Sequence, residues 1–331
     1  IYTGEDTLSL HDALPIYATL QIGTFTFILF AVVSLQSEIG GFFNAISHVK
    51  SDSLFVADLF RFLRTPAALK KGSTRLAAET PEIEFKNVSF SYPNSEQLVF
   101  KNLNFAIKKG EKIAIVGVNG AGKTTLTKLL MRFYDPTEGQ VMIGGIDAQD
   151  VDLESYYRKI GYLSQEYDRY RMSVKEAIAV GDVNRPVSIH DVIEASKKAG
   201  SDEFIKSWKG DYDSNLGREF EGGTEPSIGQ WQKLAIARLF YRNPQIWILD
   251  EPTASIDAVA EMEIFHELEQ LPDDKTVLLI SHRFNTVKNA DKIMVLENGE
   301  IKEFGSHEHL MKIRDGVYHK LFTAQKDSFG A

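Results

Sequence analysis

Eight consecutive residues, Gly117–Thr124 (GVNGAGKT), satisfy the pattern G-x-x-x-x-G-K-[ST], and the β-branched run Lys112–Gly117 (KIAIVG) leads straight into them. A strand that ends in a glycine-rich turn and reopens as a helix belongs to an α/β sheet. The glycines let backbone N–H groups close around phosphate oxygens, and the helix beginning at Lys123 aims its positive end at them. Gly117, Asn119, Gly120, Gly122 and Thr125 are thus expected to cradle phosphates, with Lys123 on the β- and γ-phosphates and the Thr124 hydroxyl on Mg²⁺. The pattern also occurs by chance. Here it has its strand before it and an apolar helix (Leu126, Leu129, Leu130) after it.

A second site element is IWILDEP, Ile246–Pro252. Four apolar residues predict a buried strand whose exit presents Asp250 and Glu251. Asp250 suits contact with Mg²⁺, and Glu251 suits polarising an attacking water, the division of labour that phosphoryl transfer needs. Alone, an acidic pair at a strand end is commonly a solvated turn; the phosphate loop upstream argues against that. IEFKNVSFSY (Ile83–Tyr92) and LVFKNLNFAI (Leu98–Ile107) read as two strands joined at Pro93-Asn94.

Between the two site elements lies Glu225–Phe240, EPSIGQWQKLAIARLF. It resembles the L-S-G-G-Q signature of the ATP-binding cassette (ABC) family. Ser227, Gly229 and Gln230 are kept, while Pro226 replaces Leu and Ile228 replaces the first Gly. The resemblance extends from Glu82 to about Gln325 in the family's motif order: Tyr92, placed 25 residues before the phosphate loop, as the aromatic against adenine; Gln165 in YLSQE as the Q-loop; Ser255-Ile256-Asp257 as the D-loop; His282 in SHR as the switch histidine. What it implies is a P-loop NTPase cassette with a RecA-like mixed-sheet core, an antiparallel β subdomain and a helical subdomain. It further implies ATP and Mg²⁺ as cofactors, the metal held by Thr124, Gln165 and Asp250. Catalysis would rest on Glu251, His282 and Gln165, in a head-to-tail dimer where Ser227, Gly229 and Gln230 complete the partner's site, Ser227 and the N-terminus of a helix beginning near Gln230 offering donors to the γ-phosphate. Asp257 would lie at that junction. Ile228 leaves two alternatives. Either the backbone there is extended and the side chain points away, or a needed positive φ is lost and turnover slows.

The chain has 37 Lys and Arg against 46 Asp and Glu, a net charge of −9, and no cysteine. The acidic balance argues against nucleic acid as a partner. The missing thiols exclude disulfides, thiolate zinc sites and cysteine nucleophiles. His307 and His309 in GSHEHL suggest a metal pair, but no further ligands cluster nearby, and metal is not expected there.

From Tyr17 to Ser37 there are 21 residues without a charge. As a helix they span about 31 Å at about 1.5 Å per residue, close to the bilayer's hydrocarbon thickness. Thr19, Gln21, Thr24, Thr26 and Ser34 suit packing against other membrane helices. Between Lys50 and Arg75, six basic residues against two acidic ones mark that side as cytoplasmic. Apolar spacing carries the helix to about Leu63, Thr65-Pro66 ends it, and Lys70–Pro81 reads as a linker. Residues 6–16 (DTLSLHDALPI) coincide with the translation of a common sequencing adapter, so 1–16 are expected to be a non-native leader on a truncated gene. The expected organisation is therefore leader 1–16, last membrane helix and linker 17–80, and cassette 81–331. These features point to the motor of an exporter in the cell membrane, multi-pass when intact, with its cassette cytoplasmic. It would work with a second cassette, the missing permease helices and the lipid bilayer. The alternative is a soluble ABC-type ATPase whose leader helix packs in a core.

Overall fold

The computed structural model describes residues 21–67, 69–77, 79–253, 256–281 and 283–329. The expected leader, Ser255 and His282 lie outside the described residues. The chain divides into two compact units, residues 1–68 and 69–331.

In the first unit a single helix, α1 (Ile22–Leu63), runs for 42 residues, about 63 Å at 1.5 Å per residue. That is about twice a bilayer's hydrocarbon thickness. It is long and apolar enough to cross a membrane. None of its residues is buried, and Phe27 and Phe30 are among its exposed large side chains. The Thr26 hydroxyl donates to the Ile22 carbonyl at 3.0 Å, so it carries no unmet polar group on the helix surface. The helix stops as read, at Leu63, with Arg64 as its C-cap and Pro66 barring further turns.

The second unit is built on two sheets. β1 (Ile83–Ser91), β2 (Leu98–Ile107), β4 (Glu138–Ile143) and β5 (Ile146–Asp147) form an antiparallel sheet in the order β2-β1-β4-β5. The other strands are β3 (Lys112–Val116), β6 (Ile160–Leu163), β7 (Ile246–Asp250), β8 (Thr276–Ile280), β9 (Lys292–Glu297) and β10 (Glu300–Gly305). They make a mixed sheet ordered β10-β9-β3-β8-β7-β6, parallel except at the β9–β10 edge.

The mixed sheet is covered on both faces, which is why its strands are unbroken apolar runs. Alternation sorts the side chains. Ile246 and Ile248 of β7, with Ile113 and Ile115 of β3, join the core shared with the antiparallel sheet and with α2 (Lys123–Leu130). After α3 (Leu153–Tyr157), the helices α4 (Val174–Ala179), α5 (Ile189–Lys198), α6 (Asp202–Lys206) and α7 (Ile228–Arg242) form the helical subdomain, which Trp247 and Leu249 face. Ala114 and Val116 face a third cluster with Leu310 and Tyr318. Asp250 continues the parity of Ile246 and Ile248, which places it on the same sheet face as the phosphate-loop helix.

Arg132, just past α2, is 1% exposed and sits at φ 50°. Its guanidinium donates to the carbonyls of Lys70, Gln149 and Val151 and to the Asp135 carboxylate. This rigid planar fork fastens the start of the second unit to the end of the phosphate-loop helix.

Candidate active site

The phosphate loop is assembled by local geometry. Gly122, the N-cap of α2, has φ 103°, a left-handed value that favours glycine. A Cβ there would stand 2.7 Å from Phe100 Cε1, so β2 closes the space as well. Lys123 Nζ folds back over the loop, donating to the carbonyls of Gly117 (2.7 Å) and Val118 (3.1 Å). Burial pushes its ammonium below the ordinary lysine pKa, and the charges of Glu251 and Asp250 oppose that shift.

Asp250 is 4% exposed at the end of β7. Burial raises its pKa, and the neighbouring Glu251 charge raises it further, while Lys123 lowers it. Glu251 sits at φ 49°, uncommon for a residue with a side chain. Such a conformation costs about 1–3 kcal/mol and persists only where the surroundings hold it. One such hold is the Glu251 N–H donating to the Ile280 carbonyl at 3.0 Å. Gln165 Nε2 donates to Glu251 Oε2 at 3.4 Å, so the Q-loop residue and the second acidic residue meet.

These side chains line one cleft of about 830 Å³. Asn119, Gly120, Gly122, Lys123, Thr124 and Thr125 form one side, and Gln165, Asp250 and Glu251 the other. The volume falls within the range of small-ligand sites.

Tyr92, Gly117, Ser227, Gly229, Gln230 and Asp257 are not among the residues that line that cleft. Tyr92 stands beside it: its hydroxyl shares a 2.9 Å hydrogen bond with Thr125 Oγ1, and Lys128 Nζ sits 5.3 Å from its ring centroid. Edge contacts from Phe90 and Tyr134 fix the ring. Ser227 and Gln230 belong to the start of α7. The Ser227 hydroxyl accepts from the Gln230 N–H (3.3 Å), and Gln230 Oε1 accepts from the Ser227 N–H (2.9 Å). That is a capping box, so the helix begins at Ile228, two residues before the start read from the sequence near Gln230. The Ser-x-x-Gln spacing was the available signal.

Ile228 has a helical backbone rather than an extended one. It is the first helical residue, absent from the positive-φ positions, and 58% exposed. A β-branched side chain is accommodated there without backbone strain. Pro226 is buried in the position of the family's Leu. Asp257 caps α8 (Ala258–Glu269), accepting from the Ala260 N–H at 3.0 Å, and this bond holds its carboxyl below the usual range.

Residues 100–254 match the family model described as ABC transporter. The cassette belongs to the ABC transporter family. This ABC chain is 35% identical over 298 residues to the Subtilin transport ATP-binding protein of Bacillus subtilis, covering 88% of this chain and 48% of that protein. It is 37% identical over 305 residues to the ATP-dependent lipid A-core flippase of Syntrophus aciditrophicus (strain SB), covering 92% and 49%. A solved structure of a bacterial Atm1-family ABC exporter with ATP bound aligns at a TM-score of 0.76 and 32% identity, covering 84% of this chain and 48% of that one. The chain thus spans about half the length of these three relatives. The cassette architecture read from the motifs is the one found, and the family implies ATP binding.

Proposed function

We propose that this chain is the ATP-hydrolysing motor of an ABC exporter, coupling the closure of two cassettes to movement of a substrate across the cell membrane, with the cassette on the cytoplasmic side. The observation that carries the reading is the convergence of Lys123, Thr124, Gln165, Asp250 and Glu251 on one cleft. The exporters and transport proteins among the relatives, together with α1, favour it over a soluble ATPase.

Backbone N–H groups of the loop and of the N-terminus of α2 would take the β- and γ-phosphates, with Lys123 turning from its own carbonyls to them. Glu251 would accept a hydrogen bond from the attacking water and orient it in line, and Gln165 would steady the Glu251 carboxylate. Asp250 is a buried carboxylate beside a second acid, and Thr124 Oγ1 and Gln165 border the same cleft, a donor set that fits a hard cation. Among the described residues no three His, Cys, Asp or Glu gather, and Mg²⁺ at a nucleotide needs only one or two protein oxygens beside the phosphates. Thr124, Asp250 and Gln165 would hold it, and it would supply neutralisation of the charge that builds on the phosphate oxygens. His282 is proposed as the further polar group at the γ-phosphate.

One chain has one phosphate loop and one signature, so each site borrows Ser227, Gly229 and Gln230 from a second cassette, with Asp257 at the junction. Ser227 and the N-terminus of α7 offer donors to the γ-phosphate there. Ser227→Arg gives up the cap of α7, a cost of about 0.5–2 kcal/mol, and is expected to keep the fold, because Ser227 is exposed, while abolishing the ATP-dependent dimer. Size-exclusion chromatography with and without Mg-ATP measures it. Full activity in a strictly monomeric protein would overturn the shared-site mechanism.

Tyr92→Ala tests the base contact. Loss of aromatic stacking is expected to weaken ATP binding by about 1–3 kcal/mol, as at other base–aromatic contacts. Titration with a fluorescent ATP analogue reads the change, and unaltered affinity would remove Tyr92 from the site.

A further inference from the structure

We infer that two buried tethers, Gln232 to Pro252 and Thr253 to Glu261, position Glu251 for hydrolysis, an inference that rests on the reading of Glu251 as the residue orienting water.

The chain leaves Glu251 in a left-handed conformation and turns at once through Pro252 and Thr253, both buried. Such a conformation needs support from outside itself. On its C-terminal side that support comes from two helices. Gln232, from the second turn of α7, donates its Nε2 to the Pro252 carbonyl at 2.7 Å in a buried setting. The Thr253 hydroxyl donates to Glu261 Oε1 on α8 at 2.7 Å. The other oxygen of Glu261 accepts from Arg283 Nη1, the residue that follows His282 in the chain. Thr253 is 3% and Glu261 8% exposed, so water is poorly placed to replace either bond.

The geometry has a direction. α7 is capped by Ser227 and α8 by Asp257, the residues assigned to the junction with the second cassette. Both helices that meet that junction therefore also grip the two residues after Glu251. Gln232, Pro252, Thr253 and Glu261 are not among the residues that line the nucleotide cleft. Removing the tethers should misplace the water-orienting carboxylate and leave ATP binding alone. A partly buried ion pair such as Glu261–Arg283 is weak evidence for a stability role by itself. Here its carboxylate has a second task, holding the Thr253 hydroxyl.

The test compares Thr253→Val, which keeps the shape and loses the donor, with Thr253→Ser, which keeps the donor. Steady-state ATP hydrolysis by the full chain is measured across Mg-ATP concentrations. Loss of a hydrogen bond to a charged group sets the scale, so Thr253→Val is expected to lower kcat by about 10–100-fold. Its KM should stay within about twofold of wild type, and Thr253→Ser should recover most of the lost kcat. Gln232→Met, nearly isosteric and without a donor, is the independent second variant and should show the same split. Wild-type kcat in Thr253→Val, or in Gln232→Met if the first does not fold, overturns the proposal. So does equal loss in Val and Ser, or a KM that rises in step with the fall in kcat. A wild-type chain that hydrolyses no ATP strikes down the motor reading itself, a different result from a fully active Thr253→Val.

Discussion

Glu251→Gln is expected to slow ATP hydrolysis by about 10²–10⁴-fold, the usual contribution of a positioned general base, while ATP still binds. The substitution keeps shape and removes charge. Gln165 Nε2 lies 3.4 Å from a Glu251 oxygen, and a glutamine oxygen still accepts from it. The contacts of Lys123 with its loop do not involve Glu251. The variant should therefore collect as an ATP-dependent dimer that fails to reopen, visible by size-exclusion chromatography, with phosphate release giving the rate. A second effect follows from Asp250. Its carboxyl is raised by burial and by the Glu251 charge, so the folded state disfavours its ionised form. Removing the neighbouring charge eases that burden at neutral pH, and the nucleotide-free variant should be at least as stable as the parent. Phosphate release at the parental rate would eliminate Glu251 as the base.

The phosphate loop, the Asp250–Glu251 strand exit and the C-terminal end of α1 were legible because each is a local pattern. A strand–turn–helix needs its glycines in one short stretch, and an apolar run marks the strand before the acids. The Ser227-x-x-Gln230 cap was equally local, yet the start of α7 was placed two residues late because family phosphate chemistry, not capping, was read from those residues. Other features were not legible for a physical reason. Gln232 meets Pro252 across 20 positions, and Arg132 meets Lys70 across 62. Glu261 lies on a helix whose pattern explains its spacing from Asp257 but not its burial against Thr253 and Arg283. Such bonds depend on how helices dock on the sheet, and periodicity says nothing of that. Tyr92 falls between these cases. Its distance from the loop marks it in sequence, whereas its link to Thr125 emerges only when β1 folds over α2.

Lys123→Met carries the other large expectation, best measured with Glu251→Gln already present so that ATP is not consumed. At an ATP concentration about 100 times Kd, binding to the folded state alone stabilises by about 2.7 kcal/mol, and about 2–4 °C per kcal/mol makes that a rise in Tm of about 5–10 °C. Lys123 is assigned two charge-assisted contacts with phosphate, each worth about 1.5–3 kcal/mol. Their loss lowers affinity by about 10²–10⁴-fold, so at the same ATP concentration the rise in Tm should all but vanish. The nucleotide-free protein should still fold, since Nζ holds only the Gly117 and Val118 carbonyls of its own loop. Burial holds the folded-state pKa of Lys123 below its unfolded value. Between the two values the unfolded chain binds the extra proton, so the parent gains stability as pH rises through that window. Methionine has no such titration. Any stability advantage of Lys123→Met without nucleotide should therefore be greatest below the window and shrink as pH climbs through it. Thermal unfolding at several pH values, with and without ATP, reads both effects. A Lys123→Met protein that keeps the full ATP-dependent rise would show that the lysine does not hold the phosphates.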